Sequence, residues 1–449
     1  MKKLIQLYLI RPVKKYFHIT ESVFQSIKLK NPSKNLKLIA VTGTSGKSST
    51  STIIYHVLKE LGFSTGLIST VEAVAGNKTI DTGLHVTTPD AKDLQTILSK
   101  MRDESIAYVV MESSSHAIDQ GRLGLLKLDY AVYTNIKRDH LDWHFTWENY
   151  AKAKAGLINK LKKVGKVILN KDDSKSYNFL RQYYYSLTKN PFNFIEYSKS
   201  SEVSNIKETL EGLTFTYKDT VFQIPVIGSY NIDNALAAIK IAEDLGSELP
   251  RIANSFKNFK GVKGRMEVMQ NKPFMVIVDF AHNADSLEKS LESIRKINGV
   301  NRIISVFGSA GLRDKEKRFT MGNVAAKYSN IVIATAEDSR TESLFDINSK
   351  IIDGAKENGP ELVTRFSNHD QYVDYIKNTE NLNIEGKKVF AFDEETVDSR
   401  FDAIDLAVRL AKEGDVVITE GKGHEKSLCF GTTEYPFTDQ EAVEKALNN

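Results

Sequence analysis

The chain has 449 residues, enough for two or three domains at about 150 residues each, and its 41% hydrophobic content suits a globular protein with filled cores. Lys and Arg (61) nearly balance Asp and Glu (57), leaving +4 with no long basic run, so the composition implies no nucleic-acid partner. The single cysteine, Cys429, excludes an intrachain disulfide and suits a reducing, cytoplasmic setting.

The first twenty residues mix Lys2, Lys3, Arg11, Lys14 and Lys15 with Leu4, Ile5, Leu7, Leu9 and Ile10. They lack the long apolar core and small-residue cleavage site of a secretory signal. No run of about 18 apolar residues exists to span a bilayer. Two readings stay open: a helix packed on the first domain, or a basic amphipathic helix resting on a membrane surface.

Residues 36–42 (LKLIAVT) predict a buried strand and 47–61 a helix stopped by Gly62. Residues 108–112 (YVVME) and 129–134 (DYAVYT) predict further strands, 147–163 a helix, and 166–170 (KVILN) a strand. From 191 to 227 short alternating segments, 213–217 and 221–225, predict a small antiparallel excursion, followed by a helix over 230–245. A second series begins near Gly264, with strands at 274–280, 302–307, 330–335 and 415–420. Strands alternating with helices imply an α/β protein with largely parallel sheets. Gly261-Val262-Lys263-Gly264 is the expected linker, giving a short segment 1–36, a central domain 37–263 and a C-terminal domain 264–449.

Thr42-Gly43-Thr44-Ser45-Gly46-Lys47-Ser48-Ser49 follows the first predicted strand and opens a helix. Glycines there let backbone N–H groups approach phosphates, and a helix N-terminus favours negative charge. Lys47 would reach the β/γ-phosphates of ATP and Ser48 would meet Mg²⁺. Val41 stands where the longer form of this motif has its first glycine, so the loop is a shortened one. Glu112 and His140 fall at the ends of the next strands, where open α/β sheets bind ligands. Spacing alone leaves the glutamate as a possible cap, the Asp139-His140 pair as a turn, and Lys154 as a solvent-facing helical lysine.

These segments, with Thr87-Thr88-Pro89-Asp90, ESSSHAIDQGR (112–122), TNIKRDHLDWH (134–144), YAKAK (150–154), residues 228–238, Gly264-Arg265-Met266-Glu267, DFAHNAD (279–285), residues 307–318 and GKGHE (421–425), resemble the Mur ligases. The resemblance runs from about Lys37 to the C-terminus and favours the MurE, or tripeptide-synthetase, type. It implies a central P-loop-type ATPase domain with a mostly parallel sheet and a C-terminal Rossmann-like α/β domain that receives the amino acid. It also implies an ATP-dependent ligase that joins a diamino acid, meso-diaminopimelate or L-lysine, to UDP-N-acetylmuramoyl-L-alanyl-D-glutamate in peptidoglycan synthesis.

By the same resemblance, Gly43, Thr44, Ser45, Gly46, Lys47, Ser48 and Ser49 hold the ATP phosphates and one Mg²⁺, while Glu112 and His140 bind a second. Lys154 is carbamylated and supports that metal site. Asn231, Arg265 and His282 approach the nucleotide. Thr87, Thr88, Ser114, Gln120 and Arg122 contact the muramoyl peptide. Arg313, Arg340, Gly421 and Glu425 form the amino-acid pocket. The expected chemistry is an acyl phosphate made from ATP and opened by the amine, shielded from water by domain closure about a hinge near Gly264.

Some positions depart from the family pattern. Glu337-Asp338-Ser339-Arg340 stands where diaminopimelate-adding relatives carry Asp-Asn-Pro-Arg. Leu312 and Ala284 replace a usual Asp and Pro. Residues 1–36 are too few for the family's N-terminal UDP-binding domain, so UDP recognition is reduced, supplied by a partner, or replaced by another carboxylate substrate. That keeps open a related ligase of the pseudomurein, cyanophycin or folylpolyglutamate type. A nucleotide-binding subunit without ligation activity is the other alternative, opposed by the joint presence of Lys47, Glu112, His140 and Lys154.

Overall fold

The computed structural model describes residues 11–76, 78–80, 87–187, 193–378, 384 and 386–449. The N-terminal residues before Arg11 and the start of the 191–227 region lie outside them. Two compact units emerge: residues 1–207, 214–225 and 230–259 form the first, and 208–213, 226–229 and 260–449 the second.

The first unit is built on strands β1 (Lys37–Thr42), β2 (Thr65–Ile68), β3 (Ala73–Ala75), β4 (Lys78–Ile80), β5 (Tyr108–Glu112), β6 (Leu128–Tyr133), β7 (Leu161–Asn170) and β8 (Asn193–Tyr197). Their order is β4-β3-β2-β5-β1-β6-β7-β8. From β2 to β8 the neighbours run parallel, and β3 and β4 close one edge antiparallel. Leu38 to Val41 are fully buried, as a central parallel strand with both faces covered requires.

One sequence expectation is corrected here. The helix expected over 147–163 ends at Ala155; a short turn Ile158–Lys160 follows, and β7 begins at Leu161. A side chain on Gly156 would lie 2.9 Å from both the Ala153 carbonyl and Ile118. Beyond it Leu161 pairs with Leu128 of β6. The helix-forming run 157–163 is thus overridden by strand pairing.

Strands β9 (Val203–Thr209), β10 (Gly212–Tyr217) and β11 (Thr220–Ile224) form a three-stranded sheet where the alternating segments 213–217 and 221–225 predict an excursion; β9 is a strand the pattern did not name. The second unit carries β12 (Glu267–Gln270), β13 (Met275–Val278), β14 (Ile303–Phe307), β15 (Ile331–Ala334), β16 (Glu361–Phe366), β17 (Lys388–Phe392) and β18 (Val416–Thr419). They are ordered β12-β13-β18-β14-β15-β17-β16, parallel except for the β12 edge. The hairpin β19 (Ser427–Phe430) and β20 (Thr433–Pro436) follows. Among the described residues no helix is long and apolar enough to cross a membrane.

Candidate active site

In the first unit the carboxyl ends of adjacent parallel strands β5, β1 and β6 meet, the place where such sheets bind ligands. Thr42 joins them: its hydroxyl donates to the Ser113 carbonyl at 2.7 Å and its carbonyl accepts from Thr134 N at 3.0 Å. The loop after β1 is clasped from the β6 side. Asn135 accepts from Ser45 N at 3.1 Å, and Thr134 Oγ1 donates to the Ser45 carbonyl at 2.7 Å. A side chain on Gly43 would fall 1.8 Å from Thr134 Oγ1. Gly46 opens the helix Lys47–Glu60 at φ 79, and a Cβ there would sit 2.8 Å from Asn234 Oδ1. Both glycines are therefore steric requirements.

Asn234 was not singled out by the sequence reading, yet it ties two elements together. It accepts from Thr50 Oγ1 at 2.9 Å and donates to Asn231 Oδ1 at 2.9 Å, all three residues buried. Only its spacing from Asn231, one helical turn earlier, hinted at a shared face. Asn234→Ala is expected to cost about 1–3 kcal/mol by stranding the Thr50 hydroxyl, read by urea unfolding, and to raise the KM for ATP. Unchanged stability would remove Asn234 from this role.

Lys47 Nζ lies on its own loop, 3.1 Å from the Gly43 carbonyl and 3.0 Å from that of Thr44. Ser48 is buried. Lys154 departs most from its ordinary solvent-facing expectation: it is 1% exposed, its Nζ donates to the Gly43 carbonyl at 2.6 Å, and it sits 4.7 Å over the Tyr150 ring. Burial first, then the charge of Lys47, push its pKa well below the ordinary lysine value; Asp139 opposes this weakly. The Tyr150 hydroxyl is 3.1 Å from Thr44 Oγ1, so the helix Trp147–Ala155 contacts the loop.

Glu112 is fully buried and both its oxygens are engaged, by Thr70 N and Thr70 Oγ1, each at 3.0 Å. His140 is half-exposed at φ 51, 3.6 Å from the Asp139 carboxylate and 4.8 Å, ring to ring, from His116. Among the described residues no three His, Cys, Asp or Glu side chains gather as a metal cage. The donor chemistry nevertheless fits Mg²⁺, which takes oxygen ligands and keeps several waters: the Glu112 carboxylate and the Ser48 hydroxyl are both of that kind.

Four of the expected peptide contacts form one network. Thr88 Oγ1 donates to the Glu112 carbonyl at 3.1 Å and accepts from Ser114 N at 3.0 Å. Arg122 donates to the Thr88 carbonyl at 3.0 Å and to Gln120 Oε1 at 2.9 Å. Thr87 precedes this network and is partly buried.

The second unit assembles the other motifs. Arg265 lies 4.3 Å over the Phe280 ring, which also faces His282 and His424 at 4.7 and 4.9 Å. A Cβ on Gly264 would meet the Gly423 backbone at 2.2 Å, so GKGHE and the Gly264 turn pack backbone to backbone. Ala284 is the first residue of the helix Ala284–Arg295, capped by Asn283. Proline is favoured there but not required.

Beyond β15 and β18, Lys422 is buried between Asp338 Oδ1 at 2.9 Å and Glu425 Oε2 at 2.7 Å. Burial would depress Lys422, but Glu425 and Asp338 outweigh it and leave its pKa raised. Glu337 faces Gly421, at φ 103, and one of its carboxylate oxygens is buried without a hydrogen bond. Arg340 donates to the Gly311 carbonyl at 3.3 Å and Arg313 is exposed nearby in sequence. Sequence reasoning named Arg340, Gly421 and Glu425 but overlooked Lys422, although it lies inside GKGHE.

Comparison with known proteins adds the lineage. Residues 41–242 match the Mur ligase middle domain and 264–384 the Mur ligase glutamate ligase domain. A UDP-N-acetylmuramoyl-L-alanyl-D-glutamate–2,6-diaminopimelate ligase of Fusobacterium nucleatum is 33% identical over 420 residues, covering 93% of this chain and 78% of that protein. The chain belongs to the Mur ligase family. A UDP-N-acetylmuramyl-tripeptide synthetase of Borrelia garinii is 33% identical over 440 residues, covering 95% of this Mur ligase and 79% of the relative. A solved diaminopimelate ligase structure superposes with TM-score 0.64 at 26% identity, covering 95% of this chain and 82% of its own. Mycobacterium tuberculosis folylpolyglutamate synthase, TM-score 0.65 at 14% identity over 90% of this chain and 93% of its own, shares the fold. This Mur ligase is thus an ATP-dependent, amide-bond-forming enzyme.

Proposed function

We propose that this enzyme adds a diamino acid, meso-diaminopimelate or L-lysine, to the D-glutamyl carboxylate of UDP-N-acetylmuramoyl-L-alanyl-D-glutamate. The observation that carries the reading is the buried amine of Lys154 set on the Gly43 carbonyl of the phosphate loop. Residues 37–263 are read as the ATP-binding part and 264–449 as the part that takes the amino acid.

Phosphoryl transfer asks a protein for alignment and charge neutralisation. Lys47 leaves the loop carbonyls to meet the γ-phosphate as the substrate carboxylate attacks it, giving an acyl phosphate and ADP. Backbone N–H groups from Thr44 to Ser48 hold the phosphates. Thr88, Ser114, Gln120 and Arg122 position the peptide carboxylate. The amino acid's amine then attacks the acyl carbon and phosphate leaves. Ser48 would hold one Mg²⁺, and Glu112, His140 and a carbamylated Lys154 a second; these ions would supply neutralisation of the phosphate charge. A desolvated neutral amine is the form of lysine that reacts with CO₂, and the depressed pKa of Lys154 supports that modification.

In the amino-acid pocket, Arg340 suits the carboxylate of the incoming substrate, while Glu337, Asp338 and Glu425 offer acceptors for a second ammonium. Lys422 neutralises part of that acidity, and the unpaired oxygen of Glu337 keeps one acceptor available. Incubation with ATP, Mg²⁺, the UDP-muramoyl dipeptide and a panel of amino acids, read by mass spectrometry, tests this. A product heavier by one diamino acid less water is expected, with one phosphate released per bond. Turnover of ATP that ignores both dipeptide and amino acids would overturn the reading.

A further inference from the structure

The helix Arg11–Lys28 has two unlike faces. One packs on the first unit: His18 and Ser22 are buried, Gln95 donates to Ser22 Oγ at 3.2 Å, and Arg102 donates to the Leu29 carbonyl at 2.7 Å. Gly124 makes the approach possible, since a Cβ there would lie 1.8 Å from Ser22 Oγ. The opposite face carries Val13, Tyr16, Phe17, Phe24 and Ile27, which are 64, 73, 57, 65 and 70% exposed. Their spacing puts them on a single stripe of the helix. Thr20 completes the stripe, its hydroxyl turned back to the Tyr16 and Phe17 carbonyls at 3.0 and 2.8 Å. Single exposed apolar residues are ordinary; five large ones in one line mark a contact surface.

The charges around the stripe select the partner. Lys14 lies about one turn before Phe17 and Lys28 about three turns after it, both along the flank of the stripe, and Lys30 and Lys34 follow. All four are exposed, and Glu21 is the only acid on the helix. Lys14 also reaches to 5.8 Å from the Trp143 ring. Near the helix's packed edge, Lys15 and Lys127 join Lys160, which bonds the Gly124 carbonyl. Burial first, then these two neighbouring charges, push Lys160 down to about 8. A second copy of the chain across a two-fold axis would bring the same cations together. An anionic surface neutralises them.

We propose that the exposed face of the helix Arg11–Lys28 rests on an anionic phospholipid bilayer. Val13, Tyr16, Phe17, Phe24 and Ile27 enter the headgroup–acyl boundary, and Lys14, Lys28 and Lys30 meet the lipid headgroup charge. The helix lies in the interface without spanning it, and the attachment is reversible.

The test is co-sedimentation of the full chain with vesicles of phosphatidylcholine containing about 30 mol % phosphatidylglycerol, and with phosphatidylcholine alone. Binding to the anionic vesicles, weakened by added salt, is expected. The triple variant Tyr16→Ser, Phe17→Ser, Phe24→Ser should bind about tenfold less or weaker still while keeping ligase activity. Phe17→Trp supplies a readout in a fully apolar-faced protein: its emission should shift to the blue on anionic vesicles. No binding, equal binding to both vesicle types, or self-association that the triple variant abolishes in lipid-free buffer would each overturn the proposal.

Discussion

Lys154→Ala is expected to lose about a hundredfold or more in turnover, the scale of removing a group that supports a metal site. Short carboxylates such as formate should restore part of it, by occupying the volume left beside the Gly43 carbonyl with the oxygen chemistry of a carbamate. The argument rests on burial. An ammonium 1% exposed, with Lys47 bonded to the same carbonyl and no carboxylate within ion-pair distance among the described residues, is costly to keep charged. The neutral amine is therefore favoured, and it is nucleophilic towards CO₂. Wild-type activity should fall when dissolved CO₂ is stripped and recover with bicarbonate, and ¹³C-bicarbonate should give a carbamate carbon signal that Lys154→Ala lacks. That signal separates the proposed role from simple support of the loop. Full activity in Lys154→Ala would show that the carbamate assignment is wrong.

Arg400→Met is expected to destabilise the second unit by about 3–5 kcal/mol, because it leaves a buried carboxylate unpaired. Arg400 and Asp439 are both fully buried and share bonds of 2.6 Å. The same guanidinium donates to the carbonyls of Ala336 at 3.0 Å and Glu420 at 2.9 Å. Those carbonyls immediately precede Glu337 and Gly421, so the pair holds the ends of β15 and β18 at the spacing the proposed amino-acid pocket needs. Urea unfolding should show the loss, and the KM for the amino acid should rise more than that for ATP. Arg400→Met combined with Asp439→Leu should recover much of the stability, since the unpaired charge is then gone. Lys78→Ala, which breaks the exposed Lys78–Glu104 pair, should leave unfolding unaltered. If Arg400→Met unfolds like Lys78→Ala, the clamp is not structural.

Local signals were read well where one short segment contains its own reason. Residues 38–41 are an unbroken apolar run, which suits a strand covered on both faces, and the glycine-containing turn ending in Lys-Ser that follows suits a helix start. The same local logic failed at 157–163, whose lysines and leucines suit a helix but lie where β6 needs a neighbour.

By itself the sequence determined the alternation of strands and helices, the shortened phosphate loop and the ordered motifs that carry the family resemblance. These depend on residues adjacent in the chain. Only the tertiary structure decided that Lys154 is buried against Gly43, that Asn234 braces the loop from a helix far along the chain, that Lys422 joins Asp338 to Glu425, and that one face of the N-terminal helix is left open. The physical reason is common to all four: burial and pairing depend on which strands and helices the fold brings side by side, and that arrangement is not written in any one segment.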